Sequence, residues 1–178
     1  MLFSRYLKEK TLKKTLIAIV GFVLIASSGY GQVGGGAFNL LLKSMIKKTV
    51  PTVSVADLSK ENSKEIVFLD AREKTEYEVS HLYKARWIGY EDFNESRLAG
   101  LSKNQEIVIY CSIGVRSEKI GEHLLAAGYT NVRNLYGSIF EWVNQGNEVF
   151  GSDGKPTKRV HAYSKTWGVW LKEGEKVY

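Results

Sequence analysis

The chain has one cysteine among its 178 residues, Cys111, so an internal disulfide is excluded. The few His and Cys residues stand at no metal-ligand spacing, and no metal centre is expected. Neither a Walker loop nor a dinucleotide fingerprint is present, and no cofactor is expected. There is no internal repeat. The apolar run from Leu16 to Ala26 is shorter than the ~20 residues that cross a bilayer, and no cysteine near its end marks a lipoprotein anchor. Excess charge is also scarce outside the N-terminus. The chain carries a net +6, but residues 1–31 hold Arg5, Lys8, Lys10, Lys13 and Lys14 against Glu9 alone. The remainder has 20 basic and 18 acidic residues, a net of +2. That balance gives no ground to expect a nucleic-acid partner.

What is present divides into four parts. Residues 1–31 combine a positive stretch, the apolar run and small residues, the layout of a secretory signal peptide with cleavage after Ser28 or Gly31. An uncleaved N-terminal anchor is the alternative. An exported domain is expected either way, periplasmic or extracellular, with membrane contact only if the segment is retained. Residues 32–51 are expected to be a linker. It includes a short amphipathic stretch (Leu40, Leu41, Leu42, Met45, Ile46) packed on the domain as a helix, and Pro51 marks its end. Residues 52–150 alternate strand and helix patterns. Residues 151–178 form an aromatic extension containing His161, Tyr163, Trp167, Trp170 and Tyr178. Its rings are expected to pack back on the domain. A partner surface or a wall of the active-site cleft is the other possibility.

Within 52–150, "EIVFLD" (65–70) and "EIVIYC" (106–111) are continuous apolar runs of the kind buried in parallel sheets. "TVSVADL", "ARWIG" and "NVRNL" read as shorter strands. "REKTEYEVSHL", "EDFNESRLAGL", "VRSEKIGEHLLAAGY" and "GSIFEWVNQG" read as helices. The alternation predicts an α/β fold in three layers: a central, mostly parallel sheet of about five strands with helices on both faces. Working sites in such sheets lie beyond the C-terminal strand ends, where Cys111 and Asp70 fall.

Cys111 ends a strand, faces the loop "SIGVR" and precedes a helix. Unpaired amides and the helix dipole favour negative charge there, so the thiolate, the nucleophilic form, is favoured. Gly114 lets the loop curl so that successive amides point inward. Arg116 adds a permanent charge with a planar donor fork. A buried structural cysteine is the competing reading. No second His or Asp stands near Cys111 in sequence, so a Cys-His hydrolase has little support, and His81 is read as structural.

These features resemble the rhodanese-like domains over about residues 52–150. "FLDAREKTEYEVSHLYKARWI" is similar to the family's Asp-x-Arg, Glu-Tyr/Phe and Gly-His-Ile block. "YCSIGVRS" is similar to its active loop, and "VRNLYGSIFEWVNQGNEV" to its closing Leu-x-Gly-Gly, Trp and Gly-x-x-Val block. The resemblance implies a rhodanese-like sulfurtransferase in which Cys111 carries sulfane sulfur as a persulfide. It implies that Ser112, Ile113, Gly114, Val115, Arg116 and Ser117 cradle that sulfur, and that Asp70 and Arg72 support the site. A helix cap and surface ion pair is the plainer reading of those last two. The implied partners are a small anionic donor such as thiosulfate and a thiol acceptor, either a small molecule or a protein. Ser80 and Ser138 depart from the family pattern, each standing where a glycine is usual. The Cys-x4-Arg spacing is one residue shorter than the Cys-x5-Arg of the related phosphatases. It favours sulfur over phosphate, leaving phosphatase or arsenate reductase, and a non-catalytic binding module, as alternatives.

Overall fold

The computed structural model describes residues 35–61 and 65–178; the expected signal peptide lies outside the described residues. The two long apolar runs become neighbouring strands. β2 (Val67–Asp70) pairs in parallel with β4 (Ile107–Tyr110), from Val67 opposite Ile107 to Asp70 opposite Tyr110. β1 (Thr52–Val53), β3 (Arg86–Trp87) and β5 (Val132–Leu135) complete an all-parallel sheet in the order β1-β5-β4-β2-β3. All four residues of β4 are buried, which requires cover on both faces.

Alternation along the strands assigns that cover. On one face Ile107, Ile109 and Leu69 share a core with Ile120 and Leu124 of α4 (Val115–Ala126) and with Leu98. On the other face Phe68 meets the edge of Trp142 in α5 (Ser138–Asn144), with ring centroids 6.4 Å apart. There too the Tyr110 hydroxyl accepts from the Leu82 amide at 3.1 Å, just beyond α3 (Lys74–Val79). This is the three-layer α/β fold expected from the strand–helix alternation.

Three expectations need correction. "EDFNESRLAGL" forms only a 3-10 turn, Glu95–Leu98. The Asn94 side chain accepts from the Ser96 amide at 2.9 Å, and the backbone turns extended at Ala99, so neither end propagates. The stretch 32–51 is not a linker throughout. Its amphipathic part is helical as expected: residues 35–45 form helix α1, and the compact unit carrying the sheet begins at Leu42. Ile46 and Val50 are core residues, and the amides of Lys47 and Thr49 donate to the buried Glu118 carboxylate at 2.9 and 3.1 Å. Val50 packs so close to α4 that a Cβ on Gly121 would lie 2.9 Å from it. Finally, the expected boundary at 150/151 falls inside a hairpin, in which β6 (Val149–Phe150) pairs antiparallel with β7 (Pro156–Thr157).

The rest of the extension folds back on the domain. β8 (Arg159–His161) pairs in parallel with β9 (Glu175–Val177), with the short α6 (Lys165–Gly168) between them. Val160, Ala162 and Leu171 are fully buried. Among the described residues no helix is long and apolar enough to cross a membrane.

Candidate active site

Cys111 leaves the sheet at the C-terminal end of β4 and is 1% exposed. Four contacts hold the chain on either side of it. The Cys111 amide donates to the Ser138 hydroxyl at 3.1 Å, and Ser138 donates to the Leu135 carbonyl at 3.1 Å. The amides of Ile139 and Phe140, in the first turn of α5, donate to the carbonyls of Cys111 and Ser112 at 3.2 and 3.1 Å. The start of α5 therefore clamps the start of the loop.

The loop then turns at Gly114, whose φ of +114° suits glycine and whose absent Cβ would lie 2.9 Å from Ile46. That turn aims the Gly114 amide at the Cys111 sulfur, 3.1 Å away. Asn134, buried on β5, fixes the turn from behind. Its Nδ2 donates to the Gly114 carbonyl at 2.9 Å and its Oδ1 accepts from the Ser117 hydroxyl at 2.7 Å.

Burial is the largest single influence on the Cys111 thiol and pushes its pKa up. The charge of Arg116, the amide and hydroxyl of Ser117 and the amide of Gly114 oppose it, and the thiol ends below its ordinary value. The Ser117 hydroxyl has one proton and shares it with Asn134, so Arg116 and the two amides are the steadier contributors. A thiol held below its ordinary value has more of its thiolate form near neutral pH.

Both terminal nitrogens of Arg116 are engaged within the protein. One terminal nitrogen donates to Glu76 Oε2 at 2.6 Å; the other donates to Glu76 Oε1 and to the Ser112 hydroxyl, each at 2.9 Å. Ser112 donates onward to Glu76 at 3.1 Å. Glu76 is 2% exposed. Burial pushes its carboxyl up, but the Arg116 hydrogen bonds and the charges of Arg116 and Arg72 hold it below the usual range, so the pair is ionised.

Asp70 and Arg72 are fully buried and paired with each other at 2.6 Å, which rules out a surface ion pair. Arg72 also donates to the Ser80 carbonyl at 2.6 Å, tying β2 to the end of α3. Neither residue lines the cavity that opens on Cys111. That cavity, of about 180 Å³, is lined by Ser112, Ile113, Val115 and Arg116 of the loop, by Met45, and by Tyr163 and Trp167 of the extension. His81 is stacked on Tyr77 at 4.0 Å, with Nδ1 3.1 Å from the Tyr77 carbonyl.

The model of the rhodanese-like domain matches residues 54–145, just over half of the 178. The chain belongs to the rhodanese-like domain family. The rhodanese-like core is 33% identical over 84 residues to a tRNA uridine(34) hydroxylase of Pectobacterium carotovorum, covering 44% of this chain and 24% of that protein. It is 34% identical over 88 residues to the enzyme of the same name from Buchnera aphidicola, covering 47% and 27% respectively. The chain thus spans about a quarter of the length of these curated relatives. Among solved structures, a Bacillus halodurans protein superposes with TM-score 0.51 at 27% identity, covering 64% of this chain and 86% of its own. The rhodanese-like domain of an Anabaena protein superposes with TM-score 0.52 at 22% identity, covering 57% and 79%, which speaks to the fold alone.

The two departures from the family pattern have a geometric account. Ser138 adopts φ +52°, the left-handed region that favours glycine, and its hydroxyl accepts from the buried Cys111 amide. Ser80 sits in extended backbone (φ −170°, ψ 157°), which any residue adopts. Its hydroxyl is buried without a partner.

Sequence reasoning missed Glu76, Asn134, Ser138 and Met45 as parts of the site; for Tyr163 and Trp167 it held a cleft wall as the second reading of the extension, and the structure puts both in the cavity lining. Glu76 stood in the Glu-Tyr block, but 40 residues separate it from Arg116 and no local pattern couples them.

Proposed function

We propose that this rhodanese-like domain is a sulfurtransferase. The Cys111 thiolate attacks the outer sulfur of a small donor such as thiosulfate. The donor's sulfur–sulfur bond breaks, sulfite leaves with the electron pair, and Cys111 becomes a persulfide. An acceptor thiolate, or cyanide in an assay, then takes that outer sulfur and restores the Cys111 thiolate, a two-step covalent cycle. The loop amides stabilise negative charge on either form of the sulfur.

The observation that carries this reading is the cradle itself. A buried thiol of lowered pKa has the Gly114 amide on its sulfur at 3.1 Å, in a loop of Cys-x4-Arg length. The relatives' hydroxylase name describes longer proteins, of which this chain spans about a quarter. On the composition of residues 1–31 we place the domain's work outside the cytoplasm.

Intact mass after thiosulfate treatment tests the reading. The wild type is expected to gain one sulfur atom, stable to buffer exchange and lost on adding cyanide. Cys111→Ser is expected to gain none and to make no thiocyanate. A wild type that gains no sulfur, or a Cys111→Ser variant that keeps its thiosulfate:cyanide turnover, refutes it.

A further inference from the structure

The cavity over Cys111 is walled by residues outside the span that the family model matches. Tyr163 and Trp167 come from the extension, whereas the match ends at 145. Their positions are held firmly. Val160 and Ala162 are buried on either side of His161, and the Asn144 side chain of α5 binds the Trp170 carbonyl at 2.9 Å and the Lys172 amide at 2.6 Å. Tyr163 sits in a left-handed turn (φ +64°), with its amide donating to His161 Nδ1 at 3.1 Å. That turn lays the Tyr163 ring over the Arg116 guanidinium at 5.0 Å. The ring and the Glu76 carboxylate therefore both occupy the one charged side chain among the described residues lining the cavity.

Apart from Ser112, whose hydroxyl is bonded to Glu76 and Arg116, the remaining wall is apolar: Met45, Ile113, Val115 and the indole of Trp167. A cavity of about 150 Å³ accommodates a benzene ring, and this one is about 180 Å³. An inorganic dianion would leave that apolar wall unused and meet an arginine already bonded on both sides of its fork.

We propose that Tyr163 and Trp167 are specificity-determining residues that select sulfur compounds whose reacting sulfur is carried on a compact apolar group, an aryl or alkyl thiosulfonate or thiol. This rests on the sulfur-transfer reading of Cys111 and names its substrate class. With an aryl thiosulfonate, the Cys111 thiolate forms a bond to the outer sulfur as the donor's sulfur–sulfur bond breaks. The aryl sulfinate leaves with the electron pair, and no external oxidant or reductant enters. With an apolar thiol acceptor, the acceptor thiolate attacks the outer sulfur of the Cys111 persulfide, which yields the acceptor's persulfide and the Cys111 thiolate.

The test compares benzenethiosulfonate with thiosulfate as donors to cyanide, using the full chain and subtracting the Cys111→Ser rate. The wild type is expected to give the higher kcat/KM with benzenethiosulfonate. In Trp167→Ala the ratio of the two kcat/KM values should fall by about tenfold, the loss of one good aromatic contact. Trp167→Phe should recover most of it, and Tyr163→Ala, at a half-exposed position, should lower it less. An unchanged ratio, or equal loss with both donors, overturns the proposal. A readout independent of turnover separates this from failure of the sulfurtransferase reading. The rate of Cys111 labelling by N-phenylmaleimide relative to N-methylmaleimide should also fall about tenfold in Trp167→Ala. A relative rate that does not move refutes the apolar wall even if sulfur transfer is confirmed.

Discussion

Replacing Glu76 with Gln keeps the shape of the side chain and removes its charge. The carboxylate accepts from both terminal nitrogens of Arg116, at 2.6 and 2.9 Å, and also from the Glu73 amide and the Ser112 hydroxyl, each at 3.1 Å. An amide has one oxygen. If that oxygen faces Arg116 on the Glu73 side, the amide NH2 turns toward the other Arg116 nitrogen, and donor meets donor. One charge-assisted bond is then lost, at about 2 kcal/mol, and the other weakens to a bond with a neutral acceptor, at about 1 kcal/mol. Together these come to about 3 kcal/mol, the lower edge for breaking a buried pair. That edge fits because the Arg116 side chain, 15% exposed, keeps some hydration. For a domain of this size the loss lowers Tm by about 6–12 °C at pH 7.

The pH dependence identifies the cause. Burial pushes the Glu76 carboxyl up, but Arg116 and Arg72 hold it below its unfolded value. The stability it contributes is therefore fully present above the unfolded value near ~4.3 and is lost as pH falls through the lower folded value. Thermal melts of wild type and Glu76→Gln should differ by a constant amount at pH 6–7, and the gap should begin to close only below the unfolded value near ~4.3, shrinking as pH falls through the lower folded value. A Tm within about 2 °C of wild type at pH 7, or a gap that persists undiminished in acid, would refute the claim that this carboxylate is ionised by Arg116.

Two further outcomes follow from the loop. Alkylation of Cys111 by iodoacetamide should titrate below the ~8.5 of a free thiol, and Arg116→Ala should move the profile to higher pH, because the principal charge opposing burial is removed; a profile that does not move would show that the amides alone set the thiol. Ser138→Ala keeps the left-handed strain and leaves the buried Cys111 amide without its 3.1 Å partner, so it should destabilise by about 1–3 kcal/mol in denaturant unfolding, more than Ser138→Gly, which relieves the strain.

The sequence by itself determined the sheet class and the loop that holds the lone cysteine. "EIVFLD" and "EIVIYC" are apolar along most of the lengths that become β2 and β4, so the α/β class was legible without coordinates; that the two strands pair, and that Asp70 is buried at the end of one of them, was not. Cys111, Gly114 and Arg116 lie within six consecutive residues, and their relation is a matter of local spacing. Only the tertiary structure decided what Arg116 does, because its partner comes from α3, and a charge 40 residues away carries no local signature of pairing. The same holds for Ser138, whose positive φ and bond to Cys111 exist only once α5 docks on β4. It holds most for the extension. Its aromatic content was plain, yet whether those rings faced the core, the solvent or the thiol depended on β8 pairing with β9 and on the left-handed turn at Tyr163. Side chains on a half-buried surface gain similar free energy from any apolar neighbour, so composition alone does not choose among them; the backbone path does.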